Sequence, residues 1–186
     1  MKSNAIKSAA TELIQDLDHL PVNVEKIAQE KLQIEIIKTS FAENTDLSGM
    51  LVRNGTQVFM AINAAQSPAR QRFTIAHEIA HYLLDEAKPI WVDKSSIRSV
   101  HVSFRKGSRG TPESYQLPEV RANRFAAELL MPTDWVIREF DALDRPGADW
   151  SDDEGPIRKL AEQFDVSIQA MTIRLFELKL LSPIDA

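Results

Sequence analysis

Two of the four histidines in this 186-residue chain lie four positions apart, in the segment His77-Glu78-Ile79-Ala80-His81. On a helix, residues four apart lie one above the other on the same face, so both imidazoles can bind one ion. Glu78 lies beside this pair, where its carboxylate can accept a proton from a water molecule held by that ion. The spacing therefore predicts a metal site with its own general base.

The same segment has the HExxH arrangement that zinc metallopeptidases carry on a helix. Zinc lowers the pKa of a bound water to about 7, which makes that water a nucleophile at neutral pH. We therefore interpret His77 and His81 as zinc ligands and Glu78 as the general base in peptide-bond hydrolysis. The competing interpretation is a helix that only packs against the rest of the fold and binds no metal, with both histidines facing solvent.

A catalytic zinc takes a third protein ligand and keeps one position open. The chain has no cysteine, and no further histidine follows closely after His81, so a carboxylate is expected. Glu119 is the preferred candidate because it opens a predicted helix, with Asn123 one turn later on the same face. From there Asn123 can orient a zinc-binding histidine through a hydrogen bond.

Other carboxylates stay open as the third ligand. Glu128 lies in the same predicted helix, on a different face from Glu119. Asp85 and Glu86 are further candidates, but they follow the histidine pair so closely that their carboxylates could hardly reach the opposite side of the metal ion. Glu119 is alternatively a surface residue in the first turn of a helix, where acidic side chains are favoured.

The histidine pair needs a helix, and the residues before and around it predict one. Ser67 and Pro68 have the types preferred at the N-cap and at the first helical position. Apolar residues then recur at helical spacing as far as Leu84, which predicts one buried face.

A β-hairpin is predicted just upstream of that helix. Two β-rich runs, 50–53 and 56–62, are joined by Asn54-Gly55, a strong hairpin signal. An exposed edge of the 56–62 strand would suit an extended peptide substrate.

The other elements follow from the same two periodicities. We predict helices across 6–17, 24–32 and 119–131 and after Thr133, a short strand at 34–37, and a helix–turn–helix pattern across 157–181. Residues 86–118 are predicted to form a long loop or loose hairpin, and residues 144–156 a linker.

The composition is that of an ordinary globular protein, with 44% hydrophobic and 26% charged residues. The absence of cysteine excludes disulfides, thiolate zinc fingers, iron–sulfur ligation and cysteine catalysis. No segment resembles a secretion signal or a membrane span, so we expect a cytoplasmic protein that does not insert into a membrane. The formal net charge of −5 argues against a protein whose whole surface binds nucleic acid.

Weaker signals concern two further roles, stabilisation of the oxyanion and binding of DNA. Peptide hydrolysis needs a donor for the oxyanion, and His101, Tyr115 and Arg121 are candidates. DNA binding through 157–181 stays possible, but acidic residues offset the basic ones there, which disfavours phosphate contacts. We prefer packing or docking of a regulator as the role of that region.

The motifs resemble those of the ImmA/IrrE family of small zinc metallopeptidases. The similarity is carried by LSGMLVRNG, VFMAIN and SPARQRFTIAHEIAHYLL, followed by EVRANRFAAELLMP. It extends more weakly over PVNVEKIAQEKLQIEI and LAEQFDVSIQAMTIRLFEL. HExxH alone indicates a broad class, whereas HExxH followed by ExxANxFAAxLLMP is much narrower.

The resemblance implies roles for individual residues and an α+β fold. His77, His81 and Glu119 would bind Zn2+, and Glu78 would be the catalytic base. We expect a small gluzincin-like metallopeptidase domain at 1–140, with a small sheet packed on helices, followed by a linker and a helix–turn–helix-like region at 141–186.

The resemblance also implies a regulatory function. The expected activity is a zinc metalloendopeptidase that cleaves a helix–turn–helix repressor or antitoxin encoded nearby, in stress or phage response. The alternative is a non-catalytic regulator that binds a repressor or DNA through its C-terminal region and keeps a structural or vestigial metal site.

Overall fold

A computed structural model describes five stretches of the chain, namely residues 3–41, 47–85, 90–94, 116–143 and 155–182. They form an α+β structure in which helices pack on a small mixed sheet. The sheet consists of β1 (Ile34–Thr39), β2 (Leu47–Asn54), β3 (Gln57–Asn63) and β4 (Ile90–Lys94).

The strand order across the sheet is β1-β3-β2-β4. Strand β1 runs parallel to β3, whereas β2 is antiparallel to both β3 and β4. Because β3 lies between β1 and β2, both of its edges are already hydrogen-bonded. The prediction that an edge of the 56–62 strand receives a peptide substrate is therefore wrong.

The predicted hairpin is β2–β3, but its turn is shifted by one residue. Asn54 pairs with Gln57, so the two-residue loop is Gly55-Thr56 and Asn54 ends the strand. Gly55 has a φ of +61°, and it is the first loop residue. This placement fits a type II′ turn, in which glycine supplies the positive φ at the first central position.

Seven α-helices lie within the described residues. They are α1 (Ser3–Ile14), α2 (Val24–Lys26, continued by a π-helical turn Ile27–Lys31), α3 (Pro68–Leu84), α4 (Gln116–Leu130), α5 (Thr133–Leu143), α6 (Gly155–Phe164) and α7 (Ile168–Glu177). None of these described helices has the length and apolar character needed to cross a membrane.

Helix α3 begins where its sequence predicts. The Ser67 hydroxyl accepts a hydrogen bond from the backbone N–H of Arg70 at 3.4 Å, and Pro68 occupies the first turn. The residues from Thr74 to His81 are all buried, because one side of α3 lies on β2 and β3 and another side packs against α4. This packing removes the histidine pair from bulk solvent.

One hydrophobic cluster joins the sheet to helices from both ends of the chain. Its fully buried members come from the sheet and from each of the seven described helices, and include Ala10, Val24, Leu51, Met60, Ile75, Phe125, Val136, Leu160 and Leu175. Helices α6 and α7 are joined by the short segment 165–167 and contribute to the same core as α3 and α4.

Several predicted boundaries differ from the structure. The predicted 86–118 loop contains strand β4, and α4 begins within it at Gln116. The first helix ends at Ile14 rather than near Leu17, and α6 begins at Gly155 inside the predicted linker. Residues 95–115 and 144–154 lie outside the described part of the chain.

Candidate metal centre

Two packed helices bring together the three predicted ligands. Helix α3 supplies His77 and His81, and the first turn of α4 supplies Glu119. The Nε2 atoms of the two histidines are 2.9 Å apart. The Glu119 carboxylate lies 3.3 Å from Nε2 of His77 and 3.5 Å from Nε2 of His81. These three side chains form a group able to hold a metal ion.

The separations fit the ligand set of a tetrahedral zinc site. Ligands at 2.0–2.2 Å from a tetrahedral ion are about 3.3–3.6 Å apart, which is close to the two distances from Glu119. The imidazole pair is somewhat tighter. Nitrogen and oxygen donors of this kind bind several divalent metals, zinc among them.

The outer nitrogen of each ring is also engaged. Nδ1 of His77 lies 3.0 Å from Oδ1 of Asn123, and Nδ1 of His81 lies 2.6 Å from Oδ2 of Asp85. Carboxylate and amide oxygens only accept hydrogen bonds, so both Nδ1 atoms donate. Each neutral ring then presents the Nε2 lone pair toward Glu119. With both rings neutral, three electron-pair donors therefore face one point, which favours a cation there.

The pKa values of His81 and Glu119 also show that the site favours positive charge on the imidazoles and negative charge on the carboxylate. Burial lowers the pKa of His81, but hydrogen bonds to Glu119 and Asp85 outweigh it and leave this pKa above its ordinary value. Burial raises the pKa of Glu119, but hydrogen bonds from His77 and His81 lower it to about 2.

Glu78, the predicted base, is fully buried on α3 between the two histidines. Its carboxylate lies against β2, since a Cβ at position 49 would be 3.3 Å from Oε1 of Glu78. The same Cβ would lie 2.4 Å from Cγ2 of Thr74. Gly49 is therefore the residue whose missing side chain makes room for Thr74 and the Glu78 carboxylate.

The carboxylates that competed with Glu119 as third ligand are placed elsewhere. Glu128 accepts hydrogen bonds from Arg174 and from the Thr133 hydroxyl, and it does not join the histidine group. Asp85 lies on the Nδ1 side of His81, away from the Nε2 atom that faces Glu119. Glu86 falls outside the described residues.

Of the candidate oxyanion donors, Arg121 pairs with Asp85, and its Nη2 lies 2.5 Å from Oδ1. His101 and Tyr115 lie outside the described residues. The sequence reasoning missed the contacts of Asp85 with His81 and Arg121. One signal for the first was present, because Asp85 follows His81 by four residues.

Comparison with known proteins gives a family match and a similar solved structure. The chain matches the family model Peptidase_M78, described as the IrrE N-terminal-like domain, over residues 29–176. Among curated proteins, no sequence matches it. A solved structure of a Mycobacterium tuberculosis transcriptional regulator is similar, with a TM-score of 0.60 at 15% sequence identity.

That structural similarity covers 92% of this chain and 46% of the regulator, so this chain spans less than half of that protein's length. At such low identity it shows a shared fold. The family match is more specific, because its residues include His77, His81 and Glu119 together with the C-terminal helices. The chain therefore belongs to the IrrE N-terminal-like domain family, whose members have a metallopeptidase-like domain.

Proposed function

We propose that this protein is a zinc-dependent endopeptidase that hydrolyses a peptide bond in a regulatory protein. The observation that carries the proposal is the convergence of His77, His81 and Glu119 from two packed helices. Glu78 lies on the same helix as both histidines, which is the arrangement that HExxH metallopeptidases use for hydrolysis.

The proposed division of labour follows from these positions. His77, His81 and Glu119 would hold the ion, which when bound supplies a Lewis acid that activates a water molecule and polarises the scissile carbonyl. Glu78 accepts a proton from the attacking water and then donates it to the leaving amine nitrogen. Asn123 orients His77 through the hydrogen bond to its Nδ1.

Two observations support a regulatory protein as the substrate. The motifs resemble those of a family that acts on helix–turn–helix repressors, and the similar solved structure is a transcriptional regulator. We propose a helix–turn–helix repressor or antitoxin encoded near the gene, with cleavage in the cytoplasm. The helical pair α6–α7 is the proposed helix–turn–helix-like region.

Removing the base alone tests the proposal. Glu78→Gln preserves the size of the side chain and both histidines, so zinc binding should persist at about one ion per chain. Cleavage should fall by roughly 10²–10⁴-fold, the usual contribution of a positioned general base. Glu12→Gln, an exposed change of the same type on α1, is the matched control and should change neither property.

Cleavage is measured across all cellular proteins at once, so no substrate has to be chosen. Cells that express the wild-type chain, Glu78→Gln or Glu12→Gln are compared by mass spectrometry of newly formed protein N-termini. New termini should appear with the wild type and the control variant and be missing with Glu78→Gln. A purified wild-type protein that binds no divalent metal, or a Glu78→Gln variant that cleaves normally, contradicts the proposal.

The alternative of a non-catalytic regulator makes a different prediction for the same variant, namely that Glu78→Gln keeps full biological activity. One contact argues against the version of this alternative in which the C-terminal region binds DNA. Arg174, one of the basic residues of 157–181, is buried and pairs with Glu128 within the fold. It is therefore withdrawn from any phosphate contact.

A further inference from the structure

A chain of three polar side chains leads from the proposed metal site to helix α4. Nδ1 of His81 donates to Oδ2 of Asp85 at 2.6 Å, and Nη2 of Arg121 donates to Oδ1 of the same carboxylate at 2.5 Å. The side chains of His81 and Asp85 are 2% and 5% exposed, and that of Arg121 is 29% exposed. Both oxygens of Asp85 are thus engaged, one by each neighbour.

The two histidines are held in different ways. The partner of His77 is Asn123, an amide that stands on α4 one turn after Glu119. The partner of His81 is Asp85, which lies just beyond the end of α3 in an extended conformation, with φ −109° and ψ 158°. The helix itself does not fix Asp85, so its carboxylate depends on a contact from another element.

The Asp85 carboxylate also needs a partner for electrostatic reasons. An acidic side chain at the C-terminal end of a helix is opposed by the helix dipole. In addition, a carboxylate that is 5% exposed loses most of its hydration and requires a hydrogen-bonded partner of opposite charge. Arg121 supplies that charge from the facing helix α4. Without Arg121, the Asp85 carboxylate would tend to turn outward to water and release His81.

We propose that Arg121 is a positioning residue of the metal site. It holds Asp85, and Asp85 holds the His81 ring with Nδ1 as donor and the Nε2 lone pair directed at the ion. Arg121 thereby couples the orientation of a ligand on α3 to α4, the helix that carries Glu119 and Asn123. This inference rests on the metal site of the proposed function, but it does not depend on peptide cleavage.

Zinc affinity is the first readout, measured on the full-length chain by competition with a chromophoric chelator. Arg121→Met keeps the aliphatic stem and removes the guanidinium. We expect it to weaken zinc binding about 10–100-fold, the usual effect of losing a partner of a metal-binding histidine. Arg124→Met, on an exposed part of the same helix, is the matched control and should bind zinc as the wild type does.

A double mutant tests whether Arg121 acts through Asp85. Asp85→Ala should weaken zinc binding to a similar extent as Arg121→Met, and the double variant should be no weaker than Asp85→Ala alone. Effects that multiply would overturn the proposal, because they mean that Arg121 acts by another route. The double variant also removes the unpaired carboxylate, so it keeps the test valid if Arg121→Met folds poorly.

The ring tautomer of His81 gives a readout that needs no metal. Long-range ¹H–¹⁵N correlation spectra of the metal-free protein, recorded where the imidazoles are neutral, distinguish Nδ1–H from Nε2–H. We expect His81 to carry its proton on Nδ1 in the wild type and in Arg124→Met, and to lose this preference in Arg121→Met and Asp85→Ala. An unchanged tautomer in both variants overturns the proposal. A wild-type protein that binds zinc and whose variants show the expected tautomer change, but that cleaves no protein, contradicts only the proposed function.

Discussion

At the scale of single residues, the chemistry of the site depends on what lies behind each imidazole. Asn123 and Asp85 accept from the outer nitrogens of His77 and His81, which leaves both inner nitrogens available to an ion. The types of the ligands are therefore only part of the site. Their orientation comes from neighbours that the HExxH pattern does not specify.

Zinc affinity should fall as the pH falls below the pKa of His81. Burial lowers this pKa, but hydrogen bonds to Glu119 and Asp85 leave it raised overall, so below that pKa zinc must displace a proton from His81. Below the raised pKa, affinity should weaken about tenfold per pH unit, and above it the profile should level off.

Chelator competition across roughly pH 5–8, where histidine titrates, checks this profile. Glu119 should add no slope there, because its pKa of about 2 keeps the carboxylate ionised throughout the range. An affinity that stays constant over the whole range, or that rises as the pH falls, would contradict the expectation.

At the scale of elements, the site depends on the close approach of β2 to α3 at Gly49. A methyl group there would lie 2.4 Å from Cγ2 of Thr74, a distance that real contacts do not tolerate, and 3.3 Å from Oε1 of Glu78. The strand and the helix would have to separate, or the Glu78 carboxylate would have to move. The glycine is thus required by Glu78, the proposed base, as much as by the sheet.

Gly49→Ala should therefore destabilise the protein and reduce cleavage. Overpacking of this kind costs about 1–3 kcal/mol in the free energy of unfolding, measured by urea denaturation. Adding Thr74→Ser removes the obstructing Cγ2, and we expect the double variant to recover most of the stability. A Gly49→Ala protein with wild-type stability and activity would rule out this account.

Gly55→Ala is the matched control for this prediction. Gly55 has a φ of +61° and no atom near the position of a Cβ, so the change strains the hairpin turn without crowding the site. Its cost should be about 1 kcal/mol, with cleavage unchanged. Loss of cleavage in this control would mean that the hairpin, rather than the Gly49 contact, supports the site.

At the scale of the whole molecule, one buried ion pair joins the C-terminal helix α7 to the helix that carries Glu119. Arg174 is 7% exposed and Glu128 is 8% exposed. The guanidinium binds the Glu128 carboxylate and also donates to the Met131 carbonyl, with Nε 3.1 Å from that oxygen. The C-terminal helices therefore satisfy polar groups at the end of α4, and the proposed boundary near residue 140 separates parts that share a core.

Arg174→Leu should destabilise the whole protein. It leaves the Glu128 carboxylate buried without its cation, a loss of about 3–5 kcal/mol in the free energy of unfolding. Urea unfolding measures this loss. Combining the change with Glu128→Gln should restore part of it, because a neutral amide still accepts from Thr133.

Arg138→Leu is the control for that prediction, since Arg138 lies on the surface with a side chain that is 59% exposed. An exposed ion pair contributes about 0–1 kcal/mol, so its unfolding curve should stay near that of the wild type. If Arg174→Leu unfolds like this control, the ion pair does not hold α7 to α4.

Local signals in the sequence predicted much of the fold and the clustered part of the site. Ser67 and Pro68 mark the start of α3, the two β-rich runs on either side of Gly55 mark the hairpin, and the helical spacing of His77 and His81 predicts that they share a face. These features depend on residues within a few positions of one another, so the chain carries them in its local pattern.

Pairings between distant segments could not be predicted in this way. Strand β1 joins the sheet beside β3, which closes the edge that was predicted for substrate, and β4 forms within a segment predicted as a loop. Strand pairing depends on which edges remain available after the whole sheet assembles. Periodicity does not contain that information.

The sequence limits the donors that this chain can offer a metal, because a chain without cysteine and with an HExxH helix has only histidine and carboxylate for that purpose. Which carboxylate faces the histidines depends on the folded chain. Glu119 faces the histidines, Glu128 is neutralised by Arg174, and Asp85 lies behind His81 with Arg121. The physical reason is that a carboxylate's role depends on the charges and donors it meets, and these arrive from distant parts of the chain.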